Sequence, residues 1–130
     1  MIDPRAIFVV GCGAALGGIV RLLINAAVVA RAGIGAAPLA TLFINVSGSF
    51  LIGLVLGALQ TRADVSPLWR VFLATGILGG YTTFSTFSFE ALGLASSGAT
   101  FAAVAYSVGS VLLGIGAAYA GLALARVVSA

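Results

Sequence analysis

Thr41, Asn45 and Ser49 follow one another at four-residue steps inside a largely apolar stretch. That spacing lays them along one stripe of a helix. Each offers a hydrogen-bond donor without carrying a charge. Tyr106 and Ser110 repeat the four-residue step late in the chain, while Phe84 and Phe87, three apart, share a helical face. Neutral donors can replace the water around a small anion without trapping it, and an aromatic ring presents a weakly positive edge. These residues suit a track along which a small anion passes. The same donors also serve simply to join helices inside a membrane, at about 0.6 kcal/mol each. From residue types alone both uses stand.

Catalysis finds no equipment here. The chain has no histidine and no lysine, and its carboxylates, Asp3, Asp64 and Glu90, do not pair within helical reach. A serine nucleophile needs an adjacent base, and the sequence offers none, so no enzyme is expected. Cys12 is the single cysteine, which excludes an internal disulfide and a cysteine metal cluster. Val9-Val10-Gly11-Cys12 faintly resembles a lipoprotein cleavage box, but the apolar run before it, residues 6–11, is too short for a signal-peptide core. Cys12 reads instead as a small buried helix residue. Six arginines against three carboxylates give a net charge of +3 and a pI of about 9.8. The arginines are scattered rather than gathered on an aromatic-laced face, so nucleic acid is not expected as a partner.

The elements that must position these residues follow from composition. Of 130 residues, 62% are hydrophobic and only 7% charged, with mean hydropathy +1.24. So few charges cannot cover a soluble domain of this size, whereas lipid removes the need. One bilayer crossing takes roughly 20 apolar residues. Residues 1–130 therefore read as a single all-α transmembrane domain with spans at residues 6–29, 39–59, 69–95 and 100–127. Turns at residues 31–38, 60–67 and 96–99 connect them, marked by glycine, proline and polar residues.

The third span carries Gly76, Gly79 and Gly80 followed by Thr82 and Thr83, a poor helix interior. Residues 79–83 are expected to break the helix near mid-membrane. Such a break survives in hydrocarbon only where protein or a water-filled cavity satisfies the freed backbone groups, and freed carbonyls are where ions bind. The alternative is an unbroken helix whose small residues permit close packing. Arg21, near the end of the first span, is a candidate for the mouth of a pore or an arginine reaching to the interface. Glu90, late in the third span, is placed near a mouth and expected to pair with an arginine. Gly13 with Gly17, and Ser49 with Gly53 and Gly57, are spaced for close helix contacts. Four helices hardly enclose an ion path, so a second subunit is expected, most simply as a two-fold dimer. Arg5, Arg62, Arg70 and Arg126 fall on one side of the four spans and Arg31, with Arg21 nearby, on the other. That asymmetry favours the first side as cytoplasmic.

Three segments resemble the Fluc (CrcB) fluoride channels of bacteria. They are Gly17-Gly18-Ile19-Val20-Arg21, the run from Thr41-Leu42-Phe43-Ile44-Asn45 through Val46-Ser47-Gly48-Ser49-Phe50, and Gly79-Gly80-Tyr81-Thr82-Thr83-Phe84-Ser85-Thr86-Phe87. With the four-span layout the resemblance covers nearly the whole chain. It implies a passive fluoride-selective channel of the bacterial plasma membrane, assembled as a homodimer of oppositely inserted subunits with two fluoride pathways. It implies that the broken third helices cross at the centre around a buried structural Na⁺, held by the backbone carbonyls of Gly79 and Thr82 from each subunit. Phe84 and Phe87 would form the aromatic box, Asn45 would be the pore asparagine, and Thr41, Tyr106 and Ser110 would belong to the polar track. Fluoride would enter the cell as the neutral acid, ionise and leave through the channel. The preference for fluoride over chloride comes from the resemblance, since the residues by themselves argue only for a small anion.

The rival reading is a small proton-coupled multidrug exporter, also a dimer of four short spans. Such exporters need a membrane-embedded carboxylate, and the first span has none. A helical scaffold without transport would explain the small residues but not the polar stripe.

Overall fold

The structure, a computed structural model, describes residues 3–60, 62 and 65–128. Helix α1 (Pro4–Ala32) starts where Asp3 accepts a hydrogen bond from the Arg5 amide at 2.9 Å, with Pro4 in the first turn. Gly33, at φ 83°, ends it in a conformation that glycine adopts without strain. A single tight turn, Ile34–Ala36, leads into α2 (Ala37–Gln60). Of the expected 60–67 loop, Thr61, Ala63 and Asp64 lie outside the described residues. Ser66 caps α3 (Pro67–Arg70), which continues without a gap into a widened π-helical segment (Val71–Leu78) and then α4 (Gly79–Tyr81). Thr82 (φ −79°, ψ 159°) and Thr83 (φ −149°, ψ 117°) are extended. Thr83 then caps α5 (Phe84–Ser96) through its side chain, and after a turn with Gly98 at φ 83° the chain finishes in α6 (Thr100–Val128).

The four helical stretches coincide with the four expected spans. The third is interrupted, but not as expected over residues 79–83. Gly79, Gly80 and Tyr81 remain helical, and only Thr82 and Thr83 leave the helix. The irregularity that the glycines introduce lies upstream, where the helix widens. The Gly79 amide reaches back five residues to the Ala74 carbonyl, the register of a π-helix, a form often found at functional sites. Three stretches, Pro4–Ala32, Ile34–Gln60 and Thr100–Val128, are each long and apolar enough to cross a bilayer. The 13 residues of α5 make only about 20 Å of helix, so the third span crosses only as two pieces end to end.

The helices meet through glycine. α2 packs chiefly on α6, and α1 on the widened segment and α4. A Cβ on Gly13 would lie 2.8 Å from the Phe72 carbonyl oxygen, and one on Gly17 or Gly80 would strike the backbone of Ile77 or Ala14. Gly53 and Gly121 leave no room for a Cβ against the backbones of Ala118 and Phe50. Such backbone-to-backbone seams hold helices where lipid removes the hydrophobic drive to associate. The core is correspondingly thin, built from Ile44, Leu78 and Tyr81, while Phe8, Phe89 and Phe101 are more than 70% exposed at 74%, 76% and 88%. Cys12, expected in the interior, also faces outward. The inward positions beside it are taken by Gly13 and Gly17, because only glycine fits that seam.

Candidate ion pathway

Asn45 and Thr83 are the centre of the site. Asn45 Nδ2 donates to the Thr83 carbonyl at 3.0 Å, and Asn45 Oδ1 accepts from the Thr83 amide at 2.8 Å. A continued helix would have given that amide to the carbonyl of Gly79. Asn45 thus stands in for the missing helical partner and leaves the Gly79 carbonyl free. On the other side of the break Thr83 Oγ1 accepts from the Thr86 amide at 3.3 Å, the N-cap arrangement that starts α5. Thr82 Oγ1 turns back to the Leu78 carbonyl at 2.9 Å. The Thr83 and Thr86 amides are thus satisfied by side chains, and the Thr82 amide by the Leu78 carbonyl, in keeping with what hydrocarbon demands.

An open-sided hollow of about 370 Å³ borders the break, lined by Asn45, Ser49, Thr82, Thr83, Phe84 and Phe87, with Ser110 behind them. Asn45 keeps one amide hydrogen for it, since only one of its two donors is engaged. Ser110 Oγ is buried with no protein partner, which leaves its hydroxyl available toward the hollow. The Phe84 and Phe87 rings lie 5.8 Å apart at 47°, and Phe87 lies 5.2 Å from the Tyr106 ring at 53°. Phe84 is 80% exposed at the rim.

The chain of rings hands over to a hydroxyl–carboxylate cluster. Tyr106 Oη donates to Glu90 Oε2 at 2.7 Å, and Thr41 Oγ1 donates to Glu90 Oε1 at 2.9 Å. Glu90 was expected to pair with an arginine, but its two oxygens are taken by hydroxyls from α2 and α6. The reason is position: Glu90 faces Thr41, which is 1% exposed between the helices, and Tyr106, and these hydroxyls occupy both of its oxygens. Two donated hydrogen bonds disperse the carboxylate's charge, which would otherwise repel an anion nearby.

The expected stripe of Thr41, Asn45 and Ser49 is therefore divided among three tasks. Thr41 holds Glu90, Asn45 holds the break, and Ser49 lines the hollow. The expected Tyr106–Ser110 pair divides likewise between Glu90 and the hollow. Arg21 lines a second hollow of about 220 Å³ with Asn25, Thr41, Thr83 and Thr86. There Asn25 Oδ1 is buried without a partner, and the N-terminal end of α5, which favours negative charge, forms one wall. Sequence reasoning placed Thr83 in the break without giving it a capping role, and gave no role to Ser47 or Tyr81. A threonine preceding a helical run after a glycine pair is a readable N-cap signal; the Ser47–Tyr81 contact has no comparable mark in the sequence.

A family profile described as "CrcB-like protein, Camphor Resistance (CrcB)" matches residues 8–122. The chain belongs to the CrcB family. Among curated CrcB-family relatives, one from Rhizobium meliloti (strain 1021), named "Fluoride-specific ion channel FluC", is 50% identical over 120 residues, covering 92% of this chain and 95% of the relative. A relative of the same name from Granulibacter bethesdensis is 46% identical, covering 88% and 89%. Another, from Methylobacterium nodulans, is 47% identical over 126 residues, covering 97% and 98%. These CrcB relatives are named as channels and not as enzymes, and with the apolar helices they make the present chain a multi-pass helical membrane protein.

Proposed function

We propose that this CrcB-family chain is a passive fluoride-selective channel of the bacterial plasma membrane. The observation that carries the reading is the hollow at the helix break, where neutral donors and the Phe84 and Phe87 side chains meet without a cationic side chain. Fluoride holds its water tightly, so an opening that strips it must supply hydrogen bonds in return yet release the ion afterwards. Asn45, Ser49 and Ser110 supply donors, and Phe84 and Phe87 supply ring edges. Arg21 and the N-terminal end of α5 form the mouth, raising the local anion concentration before the neutral passage begins. Thr41, Glu90 and Tyr106 continue the track on the far side of the rings.

The hollow is open on one side, with Phe84 exposed at its rim. A second copy, inserted the opposite way, closes it and gives two pathways per dimer. The break also suits a cation at the centre of that dimer. Among the described residues no three carboxylates, histidines or cysteines gather to hold a metal, and main-chain oxygens at the break are the ligands we propose. The Gly79 carbonyl fits because Asn45 has taken its helical partner, and the Thr82 carbonyl fits because the Thr86 amide goes to Thr83 Oγ1. Carbonyl oxygens are hard ligands suited to such an ion. A Na⁺ held by these atoms from both subunits would cross-link the two breaks electrostatically and takes no part in transport.

Purified protein in liposomes loaded with fluoride tests the reading with an ion-selective electrode. The expected result is rapid release of fluoride and not of chloride. Phe84→Ile or Phe87→Ile abolishes release while the dimer still elutes intact. Unchanged release in both variants removes the rings from the mechanism.

A further inference from the structure

Tyr81 is 7% exposed and packs in the core against Ile44 and Leu78. Its Oη lies 2.9 Å from Ser47 Oγ. Ser47 has one hydroxyl hydrogen, and its Oγ sits 2.7 Å from the Phe43 carbonyl one turn back, the nearest acceptor. With that hydrogen directed to Phe43, Tyr81 is the donor of the pair. Next to Ser47, Gly48 forms a saddle. A Cβ there would collide with the Thr82 methyl and lie 3.2 Å from the Tyr81 ring. Three residues of α2 thus receive three consecutive residues of the third span: Ser47 takes Tyr81, Gly48 takes Thr82, and Asn45 takes Thr83.

We infer that Ser47 and Tyr81 are positioning residues for the ion pathway, and that with Asn45 and Gly48 they make α2 a template fixing the break at Thr82 and Thr83. The inference rests on the channel reading above and adds to it. Asn45 alone holds only the lip after the break. Without a hold on the lip before it, the widened, glycine-rich segment can exchange π for α register, and the break slides along the chain. A one-residue slide turns Phe84 and Phe87 by about 100° around the helix axis, away from the hollow. Tyr81 prevents this because its ring is wedged in the core and its hydroxyl has a single, directional acceptor.

The experiment compares Tyr81→Phe, Ser47→Ala, the double variant and Ser47→Thr as dimers in liposomes, by fluoride release and by hydrogen–deuterium exchange of peptides spanning residues 76–86. Tyr81→Phe and Ser47→Ala should each slow release about fivefold, the effect of one ordinary hydrogen bond, and raise exchange in those peptides while leaving α6 peptides unchanged. The double variant should be no slower than either single variant, because both remove the same bond. Ser47→Thr should restore wild-type behaviour. Additive losses, or unchanged exchange at residues 76–86 in Tyr81→Phe, would overturn the inference, as would raised exchange with unaltered release. Wild-type liposomes that release no fluoride would overturn the channel reading instead, and the exchange comparison would still decide whether the bond holds the break.

Discussion

Asn45 does two things with one carboxamide. It replaces the lost helical bond of the Thr83 amide, adds a second bond to the Thr83 carbonyl and retains one N–H toward the hollow. Only asparagine or glutamine offers a donor and an acceptor side by side, and glutamine is one methylene too long for a backbone held at 2.8 and 3.0 Å. Asn45→Ala leaves the buried Thr83 amide unsatisfied, at a cost of about 1–3 kcal/mol. The expected outcome is a lower melting temperature in detergent together with at least a tenfold loss of fluoride release. A variant as stable as the wild type would show that Thr83 finds other partners. At the same scale, Thr41 and Tyr106 are committed to Glu90, so donors that look alike along the chain serve different atoms. Which donor meets which acceptor is not written in their four-residue spacing.

Among the elements, the third span is the informative one. Its glycines announce an irregular helix, and the irregularity is present, but it is distributed differently from the local pattern. Gly13, Gly17, Gly76 and Gly80 are required by the close approach of α1, and the chain leaves the helix only where side chains from α2 offer substitutes for the lost bonds. Propensity marks where a helix is weak, whereas the partners determine where it stops. The seam between α1 and the third span admits no side chain at Gly17. Gly17→Leu should therefore yield no monodisperse protein on size-exclusion chromatography, while Gly11→Leu, whose added atoms meet open space, should elute and conduct as the wild type does. Equal behaviour of the two variants would mean that this seam is not needed for assembly.

For the whole molecule, the exposed apolar side chains and the open side of the hollow belong together. A single chain cannot enclose the hollow that its own Phe84 borders. If a second copy covers it as proposed, light scattering of the detergent-solubilised protein should report two chains of 12.9 kDa each. A purely monomeric protein that still conducts would contradict the assembly. If a cation joins the two breaks, replacing all Na⁺ with a large organic cation should reduce fluoride release and lower the melting temperature together. Full release with no Na⁺ present would remove the cation from the structure. The balance of arginines, four toward one side and two at most toward the other, bears on how easily a subunit inserts in either direction, and labelling of the loops from each face measures it directly.

Hydropathy and breaker residues, being local properties, were enough to place four helices in a membrane, to locate the weak third helix and to assemble an inventory of neutral donors and rings. The pairings came only with the tertiary structure: Thr41 with Glu90, Asn45 with Thr83, Ser47 with Tyr81. These partners stand 34 to 49 residues apart. They are selected by how closely glycine lets the helices approach, a distance in space that no periodicity along the chain records.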